Sequence, residues 1–165
     1  MMTASGLKSA IEAKFNPAPT VAATANTLFG EAVKEYLEAE CEVTYSWAAV
    51  NGSGTPDPIV TFTAKPTFAS FVIAPVANLT LWAVALYTQI LGAVMVPDDA
   101  TFIVAPTAFG PVPFTLTASG ATDFDTAMTY TCNEILNGIK LMLSIVPASG
   151  AHGVYTGSGL IVTIR

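Results

Sequence analysis

Apolar residues recur at helical spacing in three parts of the chain and alternate in one. Between residues 5 and 15, Leu7, Ile11 and Phe15 form one stripe of a helix, with Lys8, Ser9 and Glu12 off it. The prolines at 17 and 19 end that helix, and Thr20 is placed to cap the next. A second helix is expected from 21 or 25 to 41. Leu28/Phe29, Ala32/Val33 and Tyr36/Leu37 lie on its apolar face, and Glu31, Lys34, Glu35 and Glu38 on the other. Glu35, Glu38, Glu40 and Glu42 crowd its C-terminal end, where they oppose the helix dipole unless cations or a partner sit there. The last helix is predicted over 123–146, with Phe124, Met128, Cys132, Ile135, Ile139, Met142 and Val146 as its stripe. Thr122 and Asp125 suggest a capping box, and Pro147 a stop.

The alternating stretch is 42–50. Val43, Tyr45, Trp47 and Ala49 share one face of a half-buried strand. A turn over 51–58 and a strand over 59–64 complete a hairpin. A final strand is expected at 160–164, after a glycine-rich loop at 148–159 that holds the sole histidine, His152. Gly52-Ser53-Gly54 and Gly157-Ser158-Gly159 each precede a β-branched run, an echo too short to define a duplication.

No charge falls between Lys65 and Asp98. The first part of that stretch, 66–77, allows a short helical turn. The second, 78–96, reads as a helix apolar almost all round, capped by Asn78, and such a helix must be buried in a core, an interface or a bilayer. Thr80, Thr88 and Gln89 interrupt it, basic flanks are missing, and Asp98 and Asp99 follow at once, all of which argue against a membrane span. Residues 101–119 are again uncharged. Runs at 101–105 and 113–117 read as short edge strands, because Pro106, Pro111 and Pro113 suit edges or irregular backbone. The segment reads as an arm or flap lying on a surface, its own or a neighbour's.

Composition sharpens this picture. The chain has 165 residues, 52% of them hydrophobic and only 11% charged, against about 25% charged in an ordinary soluble domain. One domain is expected, with more apolar surface than it easily hides. Cover by other subunits is the simplest outcome. A net charge of −6 disfavours nucleic-acid readout and adsorption to anionic membranes. The N-terminal residues mix acid and base without an apolar run, unlike a signal peptide. Cys41 and Cys132 belong to no metal motif and read as buried thiols, although a disulfide between their helices stays open.

Chemistry is thinly represented. His152 has no Cys or carboxylate at ligand spacing, and no GxSxG or GxGxxG motif occurs. The tip at 52–54 lacks the Lys-Ser/Thr element of a phosphate loop. Asp98-Asp99 and Asp123/Asp125 are explained by helix ends rather than by a metal. No catalytic, cofactor-binding or metal-binding residue is therefore assigned. Trp47 and Trp82 could line a ligand pocket. The scarcity of polar groups points to assembly rather than catalysis.

The run from Ala32 to Thr44, with Ala-Val-x-x-Tyr-Leu leading from a helix into a Thr/Val strand, resembles small virion structural proteins of tailed bacteriophages. Ile135-Leu136-Asn137-Gly138-Ile139 is similar to a Leu-x-Gly-Ile step in the long C-terminal helix of those proteins. The resemblance implies a neck, tail or baseplate component that multimerises, found in the virion or in the host cytoplasm before assembly. Its partners would be itself and other structural proteins of the particle.

The expectation is thus an α+β fold: a small antiparallel or mixed sheet with three to four helices, in a single domain over 1–165. Residues 1–20 form a helix and Pro-rich linker, and 98–120 an uncharged arm. Function is expected to be structural and non-enzymatic, with no cofactor. Phe102, Val104, Phe109, Val112, Phe114, Trp82 and Leu86 are the expected interface. The alternatives are a homo-oligomeric small-ligand-binding module or small enzyme with an aromatic pocket, and a membrane-associated protein.

Overall fold

The computed structural model describes residues 1–74, 78–104, 109–144 and 148–165. In chain order the elements are α1 (Ala4–Lys14), α2 (Ala22–Glu40), β1 (Val43–Val50), β2 (Thr61–Thr67), α3 (Leu79–Ile90), β3 (Val94–Pro97), β4 (Phe102–Val104), α4 (Phe124–Leu143), β5 (Ala148–His152) and β6 (Tyr155–Ile164). The class is α+β. The six strands form one antiparallel sheet in the order β3-β2-β1-β6-β5-β4, curled into a nearly closed barrel. Around it the strands follow chain order, with β6 pairing back onto β1. α3 is inserted between β2 and β3, and α4 between β4 and β5.

Alternation in β1 sets the inner face. Val43, Tyr45, Trp47 and Ala49 are buried with Phe62 of β2, Met95 of β3 and Phe102 of β4. The aromatic rings form a column: Tyr45 stacks on Phe62 at 4.8 Å and Phe62 on Phe102 at 4.7 Å, while Trp47 meets Phe102 edge-on at 5.5 Å. Such pairs add to the area they bury. α2 and α4 close the core with Val33, Leu37, Ile135, Ile139 and Met142, all fully buried. α1 lies across both of these helices. Tyr36 fixes its start, its hydroxyl accepting from the Thr3 N–H at 2.6 Å and donating to the Thr3 carbonyl at 3.0 Å.

Several expectations change. The apolar run 78–96 is not one helix. Asn78 caps α3 as expected, accepting from the Leu81 N–H at 3.0 Å, but the helix ends at Ile90, a turn passes through Gly92, and Val94–Pro97 is strand β3. An all-apolar run carries no period, so only Gly92 and the β-branched residues after it mark the change. Among the described residues no helix is long and apolar enough to cross a membrane.

The glycine-rich stretch from 148 is a β-hairpin rather than a loop. β5 and β6 are joined at Gly153 and Val154, with Gly153 at φ +59°. The first Gly-Ser-Gly triplet lies in a turn and the second inside β6, so the echo has no structural counterpart. A Cβ on Gly157 would sit 2.0 Å from the Ala48 carbonyl oxygen on β1.

β2 starts later than predicted and runs on through Pro66. The β1 ladder stops at Ala64, so the missing N–H of Pro66 faces no β1 partner. Neither a helical turn in described residues 66–74 nor a strand at 113–117 forms. α4 is capped by Asp123, which accepts from the Thr126 N–H at 2.7 Å, and not by Thr122. α2 has no side-chain cap, since Val21 rather than Thr20 occupies that position. The expected helix end at Val146 and Pro147, the strand end at Ala105, and Pro106 lie outside the described residues.

Candidate functional site

The outward face of the sheet carries one share of the chain's exposed apolar surface; α3 and α4 carry another, with Leu81, Val84, Phe124 and Leu141 exposed. On the strands the residues opposite the core are exposed or half-buried. Pairing aligns them into rows: Ile103, Ala151, Thr156 and Val50; Ser149, Ser158 and Ala48; Leu160, Ser46 and Thr61. Val94, Val96 and Val162 continue the face. Ile103 is 73% exposed and Leu160 66%. Among the outward strand residues only Lys65 is charged. Hydroxyl and aliphatic groups thus cover most of this face.

The seven residues expected at an interface lie elsewhere. Leu86, Phe102 and Phe109 are buried in the chain's own core, and Trp82, Val104, Val112 and Phe114 pack against its margin. The arm folds onto its own chain. The Gly110 N–H donates to the Met142 carbonyl at 3.0 Å, and the N–H groups of Thr117 and Ala118 donate to Glu134 at 2.8 and 3.1 Å. Burial opposes ionisation of Glu134, but these bonds and the Thr117 hydroxyl outweigh it and hold its pKa below the ordinary value. Phe114 lies on Gly138, whose added Cβ would be 2.3 Å from the ring. The Leu-x-Gly-Ile step of α4 is therefore the seat of the arm.

One polar centre is built inside the barrel. The loop after β1 turns on Asn51, whose Oδ1 accepts from the N–H groups of Ser53 and Thr55 at 3.0 and 2.9 Å. It carries Asp57 back over the barrel end, where the Asp57 N–H donates to the Ala49 carbonyl at 2.9 Å. The buried carboxylate then accepts from Trp47 Nε1 at 3.0 Å, the Ile59 N–H at 2.9 Å and His152 Nδ1 at 2.7 Å. Burial opposes the charge, and these bonds overcome it, so the Asp57 pKa lies below its ordinary value. An ionised carboxylate only accepts, which assigns the Nδ1 proton to His152. The imidazole stacks on Phe102 at 4.5 Å.

Among the described residues Nε2 of His152 has no hydrogen-bond partner, so no hydroxyl or thiol is set beside it as a nucleophile. The pair ties the β1–β2 loop to the β5–β6 hairpin. Sequence reasoning missed it because its members are 95 residues apart. The only signs were a lone histidine among glycines and an aspartate between two prolines.

Other candidates resolve singly. Trp47 and Trp82 do not share a pocket: Trp82 Nε1 donates to Asn26 Oδ1 at 3.0 Å, and its ring meets Phe29 edge-on at 4.1 Å. Asp98 accepts from the Thr63 hydroxyl at 2.5 Å, Asp99 from Thr101, and Asp125 pairs with Lys8. Among the described residues no three His, Cys, Asp or Glu side chains gather at metal-binding range. Cys41 and Cys132 are buried and unpaired, and burial pushes their thiols up to about 12 and about 11, which makes them unreactive. Compared with known proteins, the chain matches no family model, no curated sequence and no solved structure.

Proposed function

We propose that this chain is a non-enzymatic structural subunit that multimerises through the outward face of its sheet. The setting proposed is a phage or phage-like particle, in the neck, tail or baseplate, as the resemblance at residues 32–44 implies. The observation that carries the reading is the near absence of charge on a six-stranded face that exposes Leu160, Val162 and Ile103. A face of hydroxyl and aliphatic groups with so little charge fits a protein contact, since interface centres are depleted of charge. Its partners are further copies of itself and neighbouring structural proteins.

The test is light scattering behind size exclusion in plain buffer, on the wild type and on Leu160→Lys. The expected result is a discrete multimer that persists in high salt, reduced to protomers by the substitution with an unchanged circular dichroism spectrum. A wild type that stays monomeric at every concentration overturns self-assembly. Deleting residues 101–119 would not be a clean test, because Phe102, Phe109 and Leu116 are core residues.

A further inference from the structure

Where α2, α3 and the start of α4 meet, a cavity of about 190 Å³ opens between Phe29, Leu79, Trp82, Phe124, Met128 and Thr131. Its walls are apolar except for one group. Thr131 is only 7% exposed and lines the cavity, yet its hydroxyl has no hydrogen-bond partner among the described residues. A buried hydroxyl without a partner is destabilising, and such groups call for an explanation. Thr27, Thr88 and Thr129 bond back one turn, Thr129 to the Asp125 carbonyl at 3.0 Å. Thr131 makes no such bond among the described residues. Trp82 has its Nε1 turned away to Asn26, and so offers the cavity ring surface rather than a donor. Phe124, 77% exposed, stands at the rim.

We propose that this cavity binds a small neutral aromatic molecule carrying one hydrogen-bonding group, of the phenol class. Size supports a single ring, since an apolar cavity of about 150 Å³ takes benzene. The lone hydroxyl supports one polar group on the ligand. Charge supports neutrality: no cationic side chain lines the cavity to hold a carboxylate. The site is independent of assembly through the sheet face.

The test is titration of the full-length chain with p-cresol and with toluene, which differ by one hydroxyl, read by tryptophan fluorescence and calorimetry. The expected result is saturable binding of p-cresol about tenfold tighter than toluene, the size of one ordinary hydrogen bond. Benzoate should not bind. Thr131→Val should bring the two ligands level and raise the unfolding midpoint of the free protein, because it removes the unpartnered hydroxyl. Ala127→Leu, which fills the cavity, should abolish both. Flat titrations, or equal affinity of the wild type for p-cresol and toluene, would overturn the proposal. So would p-cresol binding that disappears as the protein multimerises, since the cavity would then belong to a second copy.

Discussion

The α1–α2 side of the molecule and the outward face of its sheet treat charge in opposite ways. On α1 and α2 the charges are many, exposed and paired. Lys14 bonds Glu35 at 2.7 Å and lies 3.7 Å from Glu31, and Lys34 reaches Glu38 at 3.9 Å. The acidic end of α2 is answered further by the Phe68 N–H, which donates to Glu38 at 3.0 Å. The sheet face has almost no charge to pair. α1 and α2 pair their charges at the surface, whereas α3 has none and exposes Leu81 and Val84 as the sheet face exposes Leu160. Among the described residues the one buried carboxylate, Asp57, has a third character: it accepts three hydrogen bonds.

Three substitutions test that contrast in order of expected effect on folding. Phe102→Ala removes a ring from the column beneath the uncharged face and should cost about 3–5 kcal/mol in urea unfolding, as large-to-small core changes do. If instead it changed multimer mass and left protomer stability intact, Phe102 would be an interface residue after all. Asp57→Asn should come next, and its effect should depend on pH. The folded pKa of Asp57 lies below the ordinary 3.8, so its stabilisation is fully present above that value and is lost as pH falls through the folded pKa. Acid unfolding of the variant should therefore lose part of the wild-type pH dependence below about pH 4, and superimposable profiles would remove Asp57 from that role. Lys14→Met is the smallest change. An exposed pair contributes only about 0.2–1 kcal/mol, less in high salt, so its unfolding midpoint should barely move.

Amphipathic order was readable in advance, and its absence was not. α1, α2, α4 and β1 each have one wet and one dry face, and their residues announce the period, though the caps of α2 and α4 differ from those expected. β3 and β5 do not. β3 continues an apolar run in which helix and strand look alike, and β5 is written in Ala, Ser and Gly, which ordinarily mark loops. The reason for small residues there is spatial: a Cβ on Gly150 would lie 2.1 Å from the Ile103 carbonyl oxygen on β4. The Asp57–His152 pair was hidden for the same reason, since no local spacing encodes a contact between two distant loops. The apolar residues chosen from the arm for an interface pack on their own chain's core, and hydrophobicity alone does not say whether a segment covers its own core or another chain's.

The seam between β1 and β6 has a consequence for how the protein is made. It is the longest ladder of the sheet, and it joins the first described strand to the last. α1, α2 and the β1–β2 hairpin can form while the chain is still emerging, but β1 keeps one open edge until β6 has emerged. That edge belongs to a strand with an uncharged outer side, the kind that pairs readily with a stranger. Loop closure of this span is slow compared with local contacts. Yield of soluble protein should therefore be governed by the interval between the birth of β1 and the arrival of β6, and slowing growth by cooling the culture lowers the concentration of chains waiting in that half-made state.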